Sequence, residues 1–109
     1  MLATADFETV NNVDDCRVWA YGICQIGKPD NFLYGNSLDE FMIKHCADNK
    51  ENHTFYFHNL AFDGEFIFYW LFWNGFEHVQ DRKQLRDKTF TTLISDKGQF
   101  YSMEICFEK

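Results

Sequence analysis

Ala5-Asp6-Phe7-Glu8-Thr9 alternates apolar and acidic side chains with period two, the pattern of a half-buried strand. Asp6 and Glu8 therefore share one face of that strand and can grip one cation together, while Ala5 and Phe7 turn the other way. Taken alone, an Asp-x-Glu pair is more often the solvated edge of a strand. Residues some fifty positions downstream decide between the two readings.

Around this stretch the chain reads as a run of short elements. The first strand spans Met1 to Thr9 and ends in the polar turn Asn11-Asn12-Val13-Asp14-Asp15. Cys16 to Ile26 is a second strand, with Val18, Ala20, Gly22 and Cys24 on one side and Trp19, Tyr21 and Ile23 on the other, expected to be central and covered on both faces. Gly27 to Asn31 is a turn and Phe32 to Gly35 a third strand. Ser37-Leu38-Asp39-Glu40 fits a capping box opening a helix from Leu38 to about Ala47. A solvated loop at 48–52 leads to a strand at Thr54-Phe55-Tyr56-Phe57, which ends on His58-Asn59.

Phe62, Phe66, Tyr69, Trp70 and Trp73 recur at helical spacing up to Asn74-Gly75, where glycine suits a left-handed helix end. Ile67, Phe68, Leu71 and Phe72 make the other side of this helix apolar too, so it needs a second cover. The remainder reads as a hairpin, Thr89 to Ser95 and Phe100 to Phe107, around a turn at 96–99. One α+β domain over residues 1–109 is the coarse reading.

Composition excludes some functions. A formal charge of -7 argues against holding nucleic acid by bulk electrostatics, so any such contact is local. Cys16, Cys24, Cys46 and Cys106 form no C-x-x-C pair, and no signal-peptide pattern precedes them, which points to reduced, inert thiols in the cytoplasm. The apolar run Phe66 to Trp73 is far short of the ~20 residues that span a bilayer, so no membrane partner is expected.

His58-Asn59-Leu60-Ala61-Phe62-Asp63 sets a third carboxylate at a strand-to-helix junction. Asp63 could complete a metal-binding trio with Asp6 and Glu8. Two-metal nucleases use such trios because carboxylate oxygens suit hard cations, which activate water and stabilise a leaving oxygen.

With these motifs in place the chain resembles the 3′-5′ exonuclease domain of protein-primed family B DNA polymerases of phages and linear plasmids. Asp6-Phe7-Glu8-Thr9 is similar to that family's first exonuclease motif and Asn59-Leu60-Ala61-Phe62-Asp63 to its second. Cys16-Arg17-Val18-Trp19-Ala20-Tyr21-Gly22, Gly35-Asn36-Ser37-Leu38-Asp39-Glu40-Phe41, Tyr56-Phe57-His58-Asn59, Gly98-Gln99-Phe100-Tyr101 and Glu104-Ile105-Cys106 resemble its framework. The resemblance implies a ribonuclease H-like fold with a mixed sheet and flanking helices, C-terminally truncated. It implies Asp6, Glu8 and Asp63 as catalytic residues and ligands of Mg²⁺ or Mn²⁺. Thr9, Tyr56, His58, Asn59, Phe62 and Phe66 would contact the single-stranded primer end, although core packing is the plainer role for Phe62 and Phe66.

One departure bears on activity. The family's third motif, Tyr-x-x-x-Asp, supplies the last metal ligand and a tyrosine that orients the attacking water. None of Tyr21, Tyr34, Tyr56, Tyr69 and Tyr101 is followed four residues later by Asp. The expectation is the N-terminal portion of a replicative, proofreading polymerase's exonuclease domain, inactive alone, with the Phe66 to Trp73 helix covered by the rest of the polymerase, another protein or a second copy. The alternative is a non-catalytic phage or mobile-element protein that reuses the scaffold to bind or inhibit a host defence nuclease.

Overall fold

The computed structural model describes residues 1–109 apart from Val13, Pro29, 48–51, 95–96, 98–99 and 108–109, with the backbone alone at Asn11, Phe100 and Tyr101. Two units divide the chain, Met1–His58 and Asn59–Lys109. The fold is mixed α+β, with helices flanking mixed sheets.

In the first unit β1 (Leu2–Asn11), β2 (Cys16–Gln25), β3 (Phe32–Gly35) and β4 (Thr54–Phe57) form one sheet in the order β3-β2-β1-β4. The first three strands run antiparallel as a meander and β4 joins β1 in parallel, with Ala5 beside Phe57. The polar turn after β1 closes as expected: the Asn12 side-chain oxygen accepts from the Asp14 and Asp15 amides at 3.0 and 2.8 Å.

One face of this sheet carries the core. Ala3, Ala5, Phe7, Tyr21 and Ile23 are buried on it under Phe41 and Met42. Phe41 sits edge-on to Phe7 at 5.1 Å and meets Tyr21, Phe55 and Phe57 at 5.5, 5.2 and 6.1 Å, so four rings interlock around it.

The strand faces differ from the sequence expectation at one place. Glu8 pairs with Ala20 but Thr9 pairs with Val18, which leaves Trp19 as the extra residue of a β-bulge. Beyond the bulge the alternation inverts, so Val18 joins Tyr21 and Ile23 in the core while Trp19 is exposed. Coverage on both faces also fails, because the second face leaves Phe32, Tyr34 and Tyr56 exposed. Cys16 is exposed, and Cys24, Cys46 and Cys106 are half-buried.

The helix after β3 begins at α1 (Leu38–Glu40), where Ser37 Oγ accepts the Glu40 amide at 3.1 Å, and continues as a π-helical segment, Phe41–Cys46. The capping box is only half made. Instead of reaching back, the Glu40 carboxylate accepts the Tyr21 hydroxyl at 2.6 Å, and His45 Nε2 lies 3.0 Å from the Tyr21 hydroxyl oxygen. The wider π turn, closed by the Ala47 amide on the Met42 carbonyl at 2.9 Å, brings Glu40 and His45 to one phenol. Burial and the Glu40 carboxylate hold the Tyr21 hydroxyl well above its ordinary pKa, so it stays a donor.

Gly35 pairs with Tyr21, and a Cβ there would overlap the Tyr21 ring and the Glu40 carboxylate. Tyr21 is buried and cannot swing away, so Gly35→Ala forces the Tyr21–Glu40 bond apart. The expected loss is about 2 kcal/mol, or roughly 10 °C in Tm. Thermal unfolding measures it, and an unchanged Tm would show that the contact is slack.

In the second unit α2 (Leu60–Trp73) lies against β7 (Phe100–Cys106), which pairs antiparallel with β6 (Thr89–Ile94); the two-residue β5 (Glu77–His78) adds in parallel to β6. The helix starts two residues earlier than its periodicity indicated. It ends as the sequence predicts: Gly75 has φ +80, its amide reaches the Phe72 carbonyl at 3.3 Å, and the Phe76 amide reaches Leu71 at 2.9 Å. Ile67, Leu71 and Phe90 are buried, and Phe68 packs edge-on against Phe90 at 5.7 Å. Sequence reading missed β5 and the 3-10 turn Arg82–Gln84. The expected hairpin turn at 96–99 lies largely outside the described residues, as does most of the solvated loop at 48–52.

Candidate metal centre and single-strand interface

Asp6 and Glu8 emerge on the uncovered face of β1, both exposed, because Ala5 and Phe7 between and beside them are held in the core. Across the ladder they face Gly22 and Ala20, the two smallest residues available. On the other side β4 sets Tyr56, 56% exposed, in register with Thr4 on this same face. A carboxylate pair and an aromatic ring thus share an open floor within one sheet. Thr9, half-buried, follows Glu8 at the bulge.

Beyond β4 the chain passes through exposed His58 and Asn59 directly into α2. The Asn59 carbonyl accepts the Phe62 and Asp63 amides at 3.1 and 2.9 Å and so opens the helix. Its side chain makes no capping bond, although asparagine is among the best residues for that purpose. The amide group remains exposed. Asp63 lies in the first helical turn, 4% exposed, where the helix dipole favours its negative charge. Phe62 and Phe66 are half-buried and pack edge-to-face at 5.3 Å, so the plain packing role holds at least in part.

Asp6 and Glu8 thus belong to the first unit and Asp63 to the second. Among the described residues no three or more His, Cys, Asp and Glu side chains gather as a group that could hold a metal ion. The donors fit Mg²⁺ or Mn²⁺ in kind, being hard carboxylate oxygens, and fall short in number.

No protein-family model matches the chain. The DNA polymerase of Bacillus phage Nf is 48% identical over 109 residues, covering 97% of this chain and 18% of the relative. Among solved structures, phi29 DNA polymerase in an orthorhombic crystal form superposes with a TM-score of 0.85 at 42% identity, over 99% of this chain and 18% of that one. Phi29 DNA polymerase complexed with single-stranded DNA gives 0.82 at 40% identity, with the same coverage. The chain spans less than a fifth of the length of the relatives it matches. By sequence and fold together, it corresponds to the N-terminal, exonuclease-domain portion of a phi29-like, protein-primed family B DNA polymerase.

Proposed function

We propose that this chain supplies the metal-binding and strand-gripping half of a 3′-5′ proofreading exonuclease, and that it is catalytically incomplete by itself. The observation that carries the reading is the exposed pair Asp6 and Glu8 on one sheet face, with Tyr56 beside it. Asp6, Glu8 and Asp63 are assigned as ligands of Mg²⁺ or Mn²⁺ in the complete enzyme, where the ions supply activated water and charge stabilisation. The chain's own part is to present carboxylates from a rigid strand and a helix start.

Thr9, Tyr56, His58, Asn59, Phe62 and Phe66 are assigned to the single-stranded primer end. Tyr56 offers a ring for stacking, and Asn59 offers an amide that no cap consumes. The likeness to phi29 DNA polymerase complexed with single-stranded DNA supports this partner. Tyr69, Phe72 and Trp73 of α2 are 60%, 66% and 81% exposed, an apolar surface that suits cover by the remainder of a polymerase, another protein or a second copy. A phage protein of this kind acts in the cytoplasm of the host cell.

Binding of a labelled single strand, followed by fluorescence anisotropy at low salt, tests the assignment. Tyr56→Ala and Asn59→Ala are each expected to weaken binding about tenfold. Unchanged affinity in both variants would contradict it.

A further inference from the structure

The same sheet face carries two further aromatic rings that no motif singles out. Phe32 and Tyr34 on edge strand β3 are 56% and 77% exposed, and their rings stack with centroids 6.1 Å apart and planes 29° apart. Strand register sets their address: Tyr34 lies opposite Gly22, which lies opposite Asp6, and Phe32 lies opposite Cys24, which lies opposite Thr4. Two strand spacings of ~4.8 Å thus separate the Tyr34 backbone from that of Asp6.

Gly22 makes the arrangement possible. A Cβ at Gly22 would sit 3.1 Å from Phe32 Cζ, so the ring lies across the glycine, on the row that ends at Asp6. Edge strands ordinarily protect themselves with charge or proline, whereas Phe32-Leu33-Tyr34-Gly35 has neither. An edge strand that spends two large rings on solvent, next to two exposed carboxylates, is shaped for a flat ligand.

We propose that Phe32 and Tyr34 form a stacking platform for a nucleobase of the same single strand that Tyr56 and Asn59 engage, so that the strand crosses the carboxylates between two aromatic contacts. This rests on the function proposed above and extends it to the β3 side of the site. A base fits better than an apolar protein segment, because a segment seated here would bury Asp6 and Glu8 at heavy desolvation cost. A base covers the rings with its π-face and leaves its polar edges and the carboxylates wet.

The test uses the whole chain, a short labelled oligothymidylate and the same oligomer with abasic sites in place of its bases. Phe32→Leu combined with Tyr34→Leu keeps apolar bulk at exposed positions, and circular dichroism checks the fold. The double variant is expected to bind the intact oligomer about tenfold more weakly and the abasic one no differently from the unaltered chain, while Tyr34→Trp retains affinity. If the unaltered chain binds and the double variant matches it, the platform is wrong and the proposed function stands. An equal loss on the abasic oligomer also overturns the platform, since the contact would then be to sugar or phosphate. If the unaltered chain binds no single strand at low salt, the proposed function fails and the platform with it.

Discussion

The 109-residue chain is expected to remove nucleotides from a 3′-labelled single strand about a thousandfold more slowly than a chain extended through a Tyr-x-x-x-Asp segment from a phage relative. The expectation follows from what the residues lack. Asp6 and Glu8 present oxygens on one face, and no third donor is gathered with them among the described residues. No tyrosine stands four residues before an Asp to orient water. Loss of such an orienting group alone costs about 10²- to 10⁴-fold. The formal charge of -7 adds repulsion toward the strand, so low salt and Mn²⁺ are the most permissive conditions. Adding Asp6→Asn and Glu8→Gln to the extended chain should return it to the slow rate. A fast unextended chain would mean that some other residue replaces the missing ligand.

The second large effect is on stability. Phe41 is 1% exposed and touches Phe7, Tyr21, Phe55 and Phe57, drawn from three strands of the first sheet. Phe41→Ala empties the centre of that cluster and should cost about 3–5 kcal/mol. At roughly 0.05–0.15 kcal/mol per residue, a unit of this size has little more than that to lose. Chemical denaturation should therefore find the variant largely unfolded near 37 °C, whereas Phe41→Leu should remain folded. If Phe41→Ala leaves the midpoint unchanged, the aromatic cluster is not what holds the sheet to its helix.

Much of this fold is written in local patterns. Period two marks β1, with Asp6 and Glu8 on one side of it, and Asn74-Gly75 marks the end of α2 because only glycine takes its left-handed turn cheaply. Other features depend on pairing between distant residues and leave no local trace. The bulge at Trp19 arises from how β2 meets β1, and it reverses the faces that strict alternation assigns to Val18 and Trp19. The two-residue β5 exists only because β6 lies beside it. The π turn brings Glu40 and His45 together on the Tyr21 hydroxyl, a meeting of distant residues that the helix's own sequence does not announce.

The site divides along the same line. Asp6, Glu8, Asn59 and Asp63 stand out as residue types at telling spacings. The exposure of Phe32 and Tyr34 becomes visible only when β3 is known to be the sheet's edge. That Asn59 opens a helix without spending its side chain as a cap is likewise a matter of geometry.

The measurement that tests the central claim most directly is the titration of Mn²⁺ into the ¹⁵N-labelled chain, following which amide signals the paramagnetic ion broadens first. The account predicts that Asp6 and Glu8 lead, and that Asp6→Asn with Glu8→Gln removes the effect. Earliest broadening at other acidic pairs, such as Asp14-Asp15 or Asp39-Glu40, with Asp6 and Glu8 untouched, would contradict it.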